Sequence, residues 1–292
     1  MPTVTIGGDM SPELFVDVAT ALRGMGVNVR TDTSPPPPQQ QAKVIVVLSP
    51  KGGSGKTAVV SNLAVALAQR HPGRVVAVDL DVQFGDLATA LSLTPERTLA
   101  QLSRATSIGI DATTVKLHLT PSERGLYVLA GASDPADADS INHTHVSAVL
   151  ALLADNFDFV IVDTAAGLDE LTLAALECAT DLLLVSSLDV TSIRSQRKAL
   201  DALDHIGIKA HRRFVLNRSD SKVGLNPIDA EEAIGMKISC SIPSSREIPL
   251  SLNLGTQVVL SAPKSPVARQ LQQLAHLYSP MEGETARKGR RR

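Results

Sequence analysis

Tryptophan is absent from these 292 residues, and aromatic residues of all kinds make up only 2%. The core must therefore be built from Val, Leu, Ile and Ala. Cysteine is nearly missing too. Cys178 and Cys240 stand far apart, with neither CxxC nor histidine spacing around them. That excludes a disulfide scaffold or a zinc ribbon and leaves two buried, reduced thiols as the expectation. No apolar run approaches the roughly 18 residues of a membrane-spanning helix, and the amino terminus lacks a basic-then-apolar leader pattern. The expectation is a cytosolic chain, at most peripherally attached at the inner membrane face or a cell pole. A large charge of either sign is also missing. The formal net charge of -2 excludes a protein that coats nucleic acid with its whole surface, so any such contact needs a local patch. What is present is ordinary for a globular chain, 43% hydrophobic and 20% charged, and long enough to bury a substantial core.

Residues 1–33 read as a small β-α-β element: strand "VTI", helix "SPELFVDVATALRGMG" with Phe15, Val18, Ala19 and Leu22 at helical spacing, then strand "VNVR". So short an element has no self-sufficient core and must dock on something. A stiff proline-glutamine stretch, "SPPPPQQQ" (34–41), makes up nearly all of a linker over residues 34–42. From residue 43 to 279, strands alternate with helices. The strand candidates are 43–48, 74–80, 126–131, 157–164, 181–187, 212–217 and 237–242. Several are continuous apolar runs, as expected of strands buried on both faces. In residues 56–70, Val59, Leu63 and Leu67 form one stripe and Val60 and Ala64 the adjoining one. The pattern predicts an α/β fold with a doubly wound, mostly parallel sheet, and ligands at the carboxyl ends of its strands.

The stretch "SPKGGSGKT", Ser49 to Thr57, lies between a strand and a helix, the context a phosphate loop requires. Glycines let backbone N–H groups close around phosphate oxygens, and the helix N-terminus adds partial positive charge. Gly52, Gly53, Ser54 and Gly55 form the cradle, Lys56 neutralises β- and γ-phosphates, and the Thr57 hydroxyl is placed to ligate Mg²⁺. A magnesium–nucleotide site also needs carboxylates at neighbouring strand ends. Asp163 ends one apolar strand, four residues before Gly167, and Asp79 and Asp81 end another. Asp163 is expected to hold Mg²⁺ through water, with the Gly167 amide facing the γ-phosphate. Asp86 reads as a helix N-cap.

The second lysine, Lys51, carries a resemblance. "KGGSGKT" is similar to the deviant phosphate loop of the MinD/ParA ATPases, and the likeness extends over residues 43–279 through "DLD" (79–81), "VDTAAG" ending at Gly167, "VLNR" (215–218) and "NLG" (253–255). Within that group "DLDVQFGDLATALSLTPERTL" resembles the branch that localises tight-adherence pilus machinery. The resemblance implies slow ATP hydrolysis with Mg²⁺ by a phosphate-loop NTPase that is a homodimer when ATP is bound and places a protein partner of pilus, secretion or division machinery. It implies that Lys51 reaches the partner subunit's phosphates, that Asp81 positions the attacking water, and that Asp79 supports the Lys56 and Mg²⁺ shell. It also implies that Asn217 reads the adenine edge while the segment around Pro243 closes over the base. Two features depart from the pattern: Ala58 stands where the family often has Thr or Ser, and residues 1–33 are far shorter than the receiver-like domain common in the pilus branch.

The remaining basic and amphipathic stretches carry less. "ARKGRRR" at residues 286–292, within a basic tail from 280, fits contact with DNA or anionic lipid at low salt, or a merely solubilising tail. "RSQRK" (194–198) and "HRR" (211–213) fit a joint DNA face, though a solvated helix face is favoured. "VARQLQQLAHLY" (267–278) places Val267, Leu271, Leu274 and Leu277 on one side. Its polar face is mostly Gln, so it reads as packed on the domain rather than membrane-seeking. "SDPADADS" (133–140) receives no chemistry.

Overall fold

The computed structural model describes residues 3–6, 18, 20–22, 25, 28–31, 41–105, 109–221 and 224–279. Two compact units are present, residues 1–41 and residues 42–292. In the first, β1 (Thr3–Ile6) and β2 (Asn28–Thr31) pair in parallel. Most of the helix expected between them, the linker, and the tail beyond residue 279 lie outside the described residues.

The second unit opens with β3 (Lys43–Leu48), α1 (Lys56–Ala68), β4 (Val75–Leu80), the short α2 (Leu87–Ala90), α3 (Leu99–Ala105), α4 (Ala112–Leu117), β5 (Thr120–Pro121) and β6 (Leu126–Leu129). A 3₁₀ turn at Pro135–Ser140 leads to α5 (His143–Ala154), β7 (Phe159–Thr164), α6 (Glu170–Cys178), β8 (Asp181–Ser187), α7 (Val190–His205) and β9 (His211–Asn217). The unit closes with α8 (Pro227–Ile234), β10 (Ile238–Ile242), α9 (Glu247–Asn253), α10 (Val258–Ser261) and α11 (Pro266–Tyr278). Eight strands form one sheet in the order β10-β9-β8-β3-β7-β4-β6-β5. Every pairing in it is parallel except that of the two-residue edge strand β5, which the sequence reading did not foresee.

Side chains that alternate along a strand point to opposite faces of a sheet. In β3, Val44, Val46 and Leu48 join one apolar cluster with α3, α5, α6, α7 and α8, while Ile45 and Val47 join another with α1, α10 and α11. The continuous apolar runs are therefore explained by two covered faces. The five residues expected to form the two stripes of α1 are all buried, and the burial goes further. Helix α1 shows no narrow stripe: every residue but Thr57 is buried, Asn62 included, because α10 and α11 close over the side away from the sheet. Asn62 survives there by donating to the Ala58 carbonyl at 2.8 Å and accepting from the Val259 amide at 3.2 Å. Truncating Leu63 or Leu67 to Ala at such a site costs about 2–5 kcal/mol.

Helix α11 packs on the domain as expected, but Leu277 is exposed, and Tyr278 and Ala275 take its place in the buried set. Tyr278 stacks under the Arg213 guanidinium at 4.6 Å, and Arg213 in turn pairs with the buried Asp181. Arg212 pairs with Asp204, while Arg197 pairs with Asp201 and donates to the Ile234 carbonyl. The arginines of "HRR" are thus consumed by local partners at the amino end of β9. "RSQRK" lies in the first half of α7, which leaves from the carboxyl end of β8, whereas "HRR" opens the adjacent β9 at its amino end. Both cysteines are free thiols: Cys240 is buried, which pushes its pKa up to about 12, while Cys178, expected to be buried, is only partly so, and that partial burial raises its pKa.

Candidate functional site

At the carboxyl end of β3 the chain runs directly into residues 49–55 and then α1. Gly53 and Gly55 take φ values of +71° and +96°, a left-handed backbone that glycine adopts without steric cost. A Cβ on Gly55 would also come within 2.4 Å of the Asn217 amide nitrogen. Gly55 is the N-cap of α1 and offers no side-chain cap, so the helix's positive end is left open. Among the described residues, no protein acceptor takes the amide hydrogens of Gly53, Ser54 or Gly55. The buried Ser54 hydroxyl is likewise unpartnered. This is a cradle for a polyphosphate anion.

The counter-charges converge from three strands. Lys56, buried at the start of α1, has its pKa lowered by desolvation, against the opposing pull of Asp163 and Asp81. Asp163, at the end of β7, is buried. Desolvation raises its pKa to about 6, although the Thr57 hydroxyl and the Lys56 charge work in the other direction. One of its oxygens, Oδ1, is buried without a partner. Such an atom is expensive unless water or a cation takes it, and together with the Thr57 hydroxyl it makes a donor set for a hard divalent cation.

These energetics give a testable consequence. Asp163 titrates near 6 in the fold and near the ordinary 3.8 when unfolded. Between those values the folded state binds more protons, so this group makes stability fall as pH rises through the window and leaves it lower above. Asp163→Asn should therefore raise the melting temperature of the nucleotide-free, metal-free protein at pH 8, by roughly 2–4 °C for each kcal/mol relieved. The gain should disappear below about pH 4. A melting profile identical to the parent at both pH values would show that Asp163 carries no such burden.

Asp79 lies beside Asp163 in the register of β4 and β7, and burial followed by the Asp163 charge raises its pKa well above normal. Its oxygens are engaged elsewhere. Oδ1 accepts from the Asp81 amide and Oδ2 from the Leu87 amide, each at 3.1 Å. Asp79 thus caps α2 from a distance and holds the 81–87 loop, whereas Asp86, the positional N-cap, makes no side-chain cap. The charges that support the Lys56 cation against burial are those of Asp163 and Asp81. Asp81 is half-buried and opens on a cavity of about 470 Å³, lined also by Gln83, Asp139, Ala165 and Asp169. The "SDPADADS" stretch, read as chemically silent, thus supplies one wall beside Asp81. The stretch follows β6, which pairs with β4, so sheet pairing brings it there and no local motif marks it.

Gly167 and Asn217 both spend hydrogen bonds on the loop and strand end beside them. The Gly167 amide donates back to the Ser49 carbonyl at 3.2 Å, so it ties the loop after β7 to the end of β3 rather than standing free toward a phosphate. A φ of +103° turns it that way. Asn217 donates from Nδ2 to the Ser54 carbonyl at 2.8 Å and accepts from the Arg218 amide at 2.9 Å, so its side chain faces the loop. Pro243 is half-buried just past β10, whose last residue, Ile242, lies in register with Asn217. Lys51 is half-exposed and donates from Nζ to the Thr191 hydroxyl at 2.6 Å, with Asp189 Oδ1 at 3.5 Å. Burial opposes ionisation of Asp189, but hydrogen bonds from Ser192 and Thr191, with the Lys51 charge, hold it well below the usual carboxylate range.

A glycine cradle at a strand-to-helix turn, a buried lysine, and carboxylates at the ends of β7 and β4 define a phosphate-loop nucleotide-binding protein on a doubly wound sheet. The comparisons agree. The family model of the AAA domain matches residues 42–214, more than half the chain, and the protein belongs to that family, among the MinD/ParA-type phosphate-loop ATPases. It is 28% identical over 243 residues to the septum site-determining protein MinD of Thermotoga maritima, covering 78% of this chain and 85% of that one. A solved ParA family ATPase from Chlorobium tepidum TLS superposes with a TM-score of 0.74 at 27% identity, covering 80% of this chain and 98% of the other. The MinD of Pyrococcus horikoshii OT3, solved with Mg-ADP, shares the fold at a TM-score of 0.73 and 24% identity, covering 83% and 98%.

Proposed function

We propose that this chain is an ATP-hydrolysing switch that dimerises on Mg-ATP and uses the dimer to place a partner assembly. The observation that carries this reading is the convergence of Lys56, Thr57, Asp81 and Asp163 around a phosphate cradle whose amides have no acceptor among the described residues. Thr57 and Asp163 would hold Mg²⁺, which when bound supplies charge neutralisation on the phosphates. The chain's own residues do the rest. The loop amides and Lys56 bind and orient the anion, and Asp81, facing the cavity, positions the attacking water. Lys51 would complete the neighbouring subunit's site, leaving its Thr191 and Asp189 partners to do so. The segment at Pro243 would cover the base.

The relatives named as septum site-determining proteins support positioning at a division site. The stretch from Asp79 to Leu99 supports the second reading, placement of pilus or secretion machinery at a pole. A DNA cargo is disfavoured by the local pairing of Arg197, Arg212 and Arg213.

Asp81→Ala tests the reading. It should bind ATP with near-parental affinity and dimerise, but release phosphate at least about 100-fold more slowly, the contribution typical of a positioned acid or base. Calorimetry, sedimentation and phosphate release give the three readouts. If Asp81→Ala turns over at the parental rate, Asp81 does not position the water. If the parent binds Mg-ATP without turnover, the chain is a nucleotide-binding scaffold.

A further inference from the structure

Two successive residues at the end of β9 grip two successive carbonyls of the phosphate cradle. Asn217 Nδ2 donates to the Ser54 carbonyl at 2.8 Å, and Arg218 Nη2 lies 3.5 Å from the Gly53 carbonyl. The two are coupled, since the Arg218 amide donates to Asn217 Oδ1 at 2.9 Å. Arg218 also holds φ at +52°, which among non-glycine residues is shared only with Ser92 in the described chain. An L-residue takes that conformation at a steric cost, so something about its location over the loop must offset it. Arg218 is exposed, and burial of its side chain therefore cannot be the offset.

The geometry of the peptide unit says what the grip does. A trans peptide is planar, and its C=O and N–H point in opposite directions. Drawing the Gly53 carbonyl outward turns the Ser54 N–H inward, and drawing the Ser54 carbonyl outward turns the Gly55 N–H inward. Those are the amides that have no acceptor among the described residues. Because Gly53 and Gly55 are glycines, the flipped peptide orientations are close in energy, and the cradle would not hold its shape unaided. We infer that Asn217 and Arg218 are positioning residues that preorganise the phosphate cradle before nucleotide arrives, by fixing the peptide planes after Gly53 and Ser54. This rests on the nucleotide-binding reading and assigns Asn217 a task toward the phosphates rather than toward the base.

Tripolyphosphate, which has no base, separates the two tasks. Three variants are compared with the parent: Asn217→Asp, which keeps shape but replaces the donor with an acceptor facing the Ser54 carbonyl; Arg218→Gly, which removes the guanidinium while relieving the φ strain; and Arg218→Lys, which keeps a donor. Calorimetry with Mg-ATP and with tripolyphosphate should show Asn217→Asp weakened about 10-fold or more, and by a similar factor, for both ligands. Arg218→Gly should be weakened several-fold for both, and Arg218→Lys restored most of the way. Hydrogen exchange of the amides of residues 53–55 in the ligand-free protein should accelerate in Asn217→Asp and Arg218→Gly while the melting temperature stays near the parent's. If Asn217→Asp loses ATP affinity but keeps tripolyphosphate affinity, the residue reads the base and the inference is wrong. Unchanged exchange and affinity in Arg218→Gly would remove Arg218 from it. Should the parent bind neither ligand, the nucleotide-binding reading itself fails, an outcome distinct from both.

Discussion

Lys56→Ala should abolish measurable binding of Mg-ATP, with affinity falling by at least about 100-fold. The size of the effect follows from where the lysine sits. Its ammonium is buried at the first turn of α1, where a charge–phosphate contact is roughly twice as strong as a neutral hydrogen bond. It also faces Asp163 and Asp81. With the ammonium gone, the triphosphate would approach two carboxylates with no intervening cation, so attraction would be replaced by repulsion rather than merely lost. The loop amides alone would not offset that. The fold should survive, because removing a desolvated cation relieves a burial cost even as it leaves Asp163 less supported. Calorimetry with Mg-ATP, beside a melting curve confirming the folded state, gives the answer. Affinity within a few-fold of the parent would overturn the phosphate-loop assignment.

Lys51→Ala should behave in the opposite way at the binding step and as severely at turnover. The side chain lies outside the cradle, with its Nζ held by Thr191 and Asp189 at the start of α7. Nucleotide affinity should therefore stay near parental, since Lys56, Thr57 and the loop amides remain. ATP-dependent dimerisation should be lost, because two triphosphates would face one another without the charges that offset their repulsion. Hydrolysis should fall by a factor of the order of 10³–10⁵, the range found for cationic fingers supplied in trans. Mixing Lys51→Ala with Asp81→Ala tests the geometry. The first has an intact acceptor site and no finger, and the second has a finger and no turnover. Heterodimers should recover phosphate release at the site of the Lys51→Ala subunit. If Lys51→Ala dimerises normally, or mixed dimers form without recovery, the lysine acts within its own subunit through α7.

The contact with Thr191 gives that experiment a structural control. Asp189 caps α7 through the Ser192 amide at 2.8 Å without help from Lys51, so losing the lysine leaves the cap in place. A stability change in Lys51→Ala should thus be small, as expected of an exposed ion pair worth under about 1 kcal/mol.

Much of this protein was readable in one dimension because it depends on local rules. A strand followed at once by "GGSGKT" and a helix can hardly avoid forming the cradle: glycine alone tolerates the left-handed turns at Gly53 and Gly55, and the lysine and threonine follow at fixed helical positions. Apolar runs with no alternation announced a sheet covered on both faces, and Asp163 closing such a run marked a strand end at the site. What only the tertiary structure decided is where side chains aim once non-adjacent segments meet. Nothing in the sequence says that α10 and α11 would bury the far side of α1, or that β5 would join the edge. Nor does it say that Asp79 would spend both oxygens on the 81–87 loop, that the Gly167 amide would turn back to Ser49, or that Asn217 and Arg218 would hold the loop from β9. The contacts of α1, Gly167, Asn217 and Arg218 run across tens to hundreds of residues, and those of Asp79 and β5 span two to eight but depend on how the loop or edge folds back. The reason is that strand order places β9 and β7 near the end of β3, whereas propensity and periodicity encode only a residue's own element. Local sequence wrote the cradle and its charges; the order of strands in the sheet assigned the residues that hold it open.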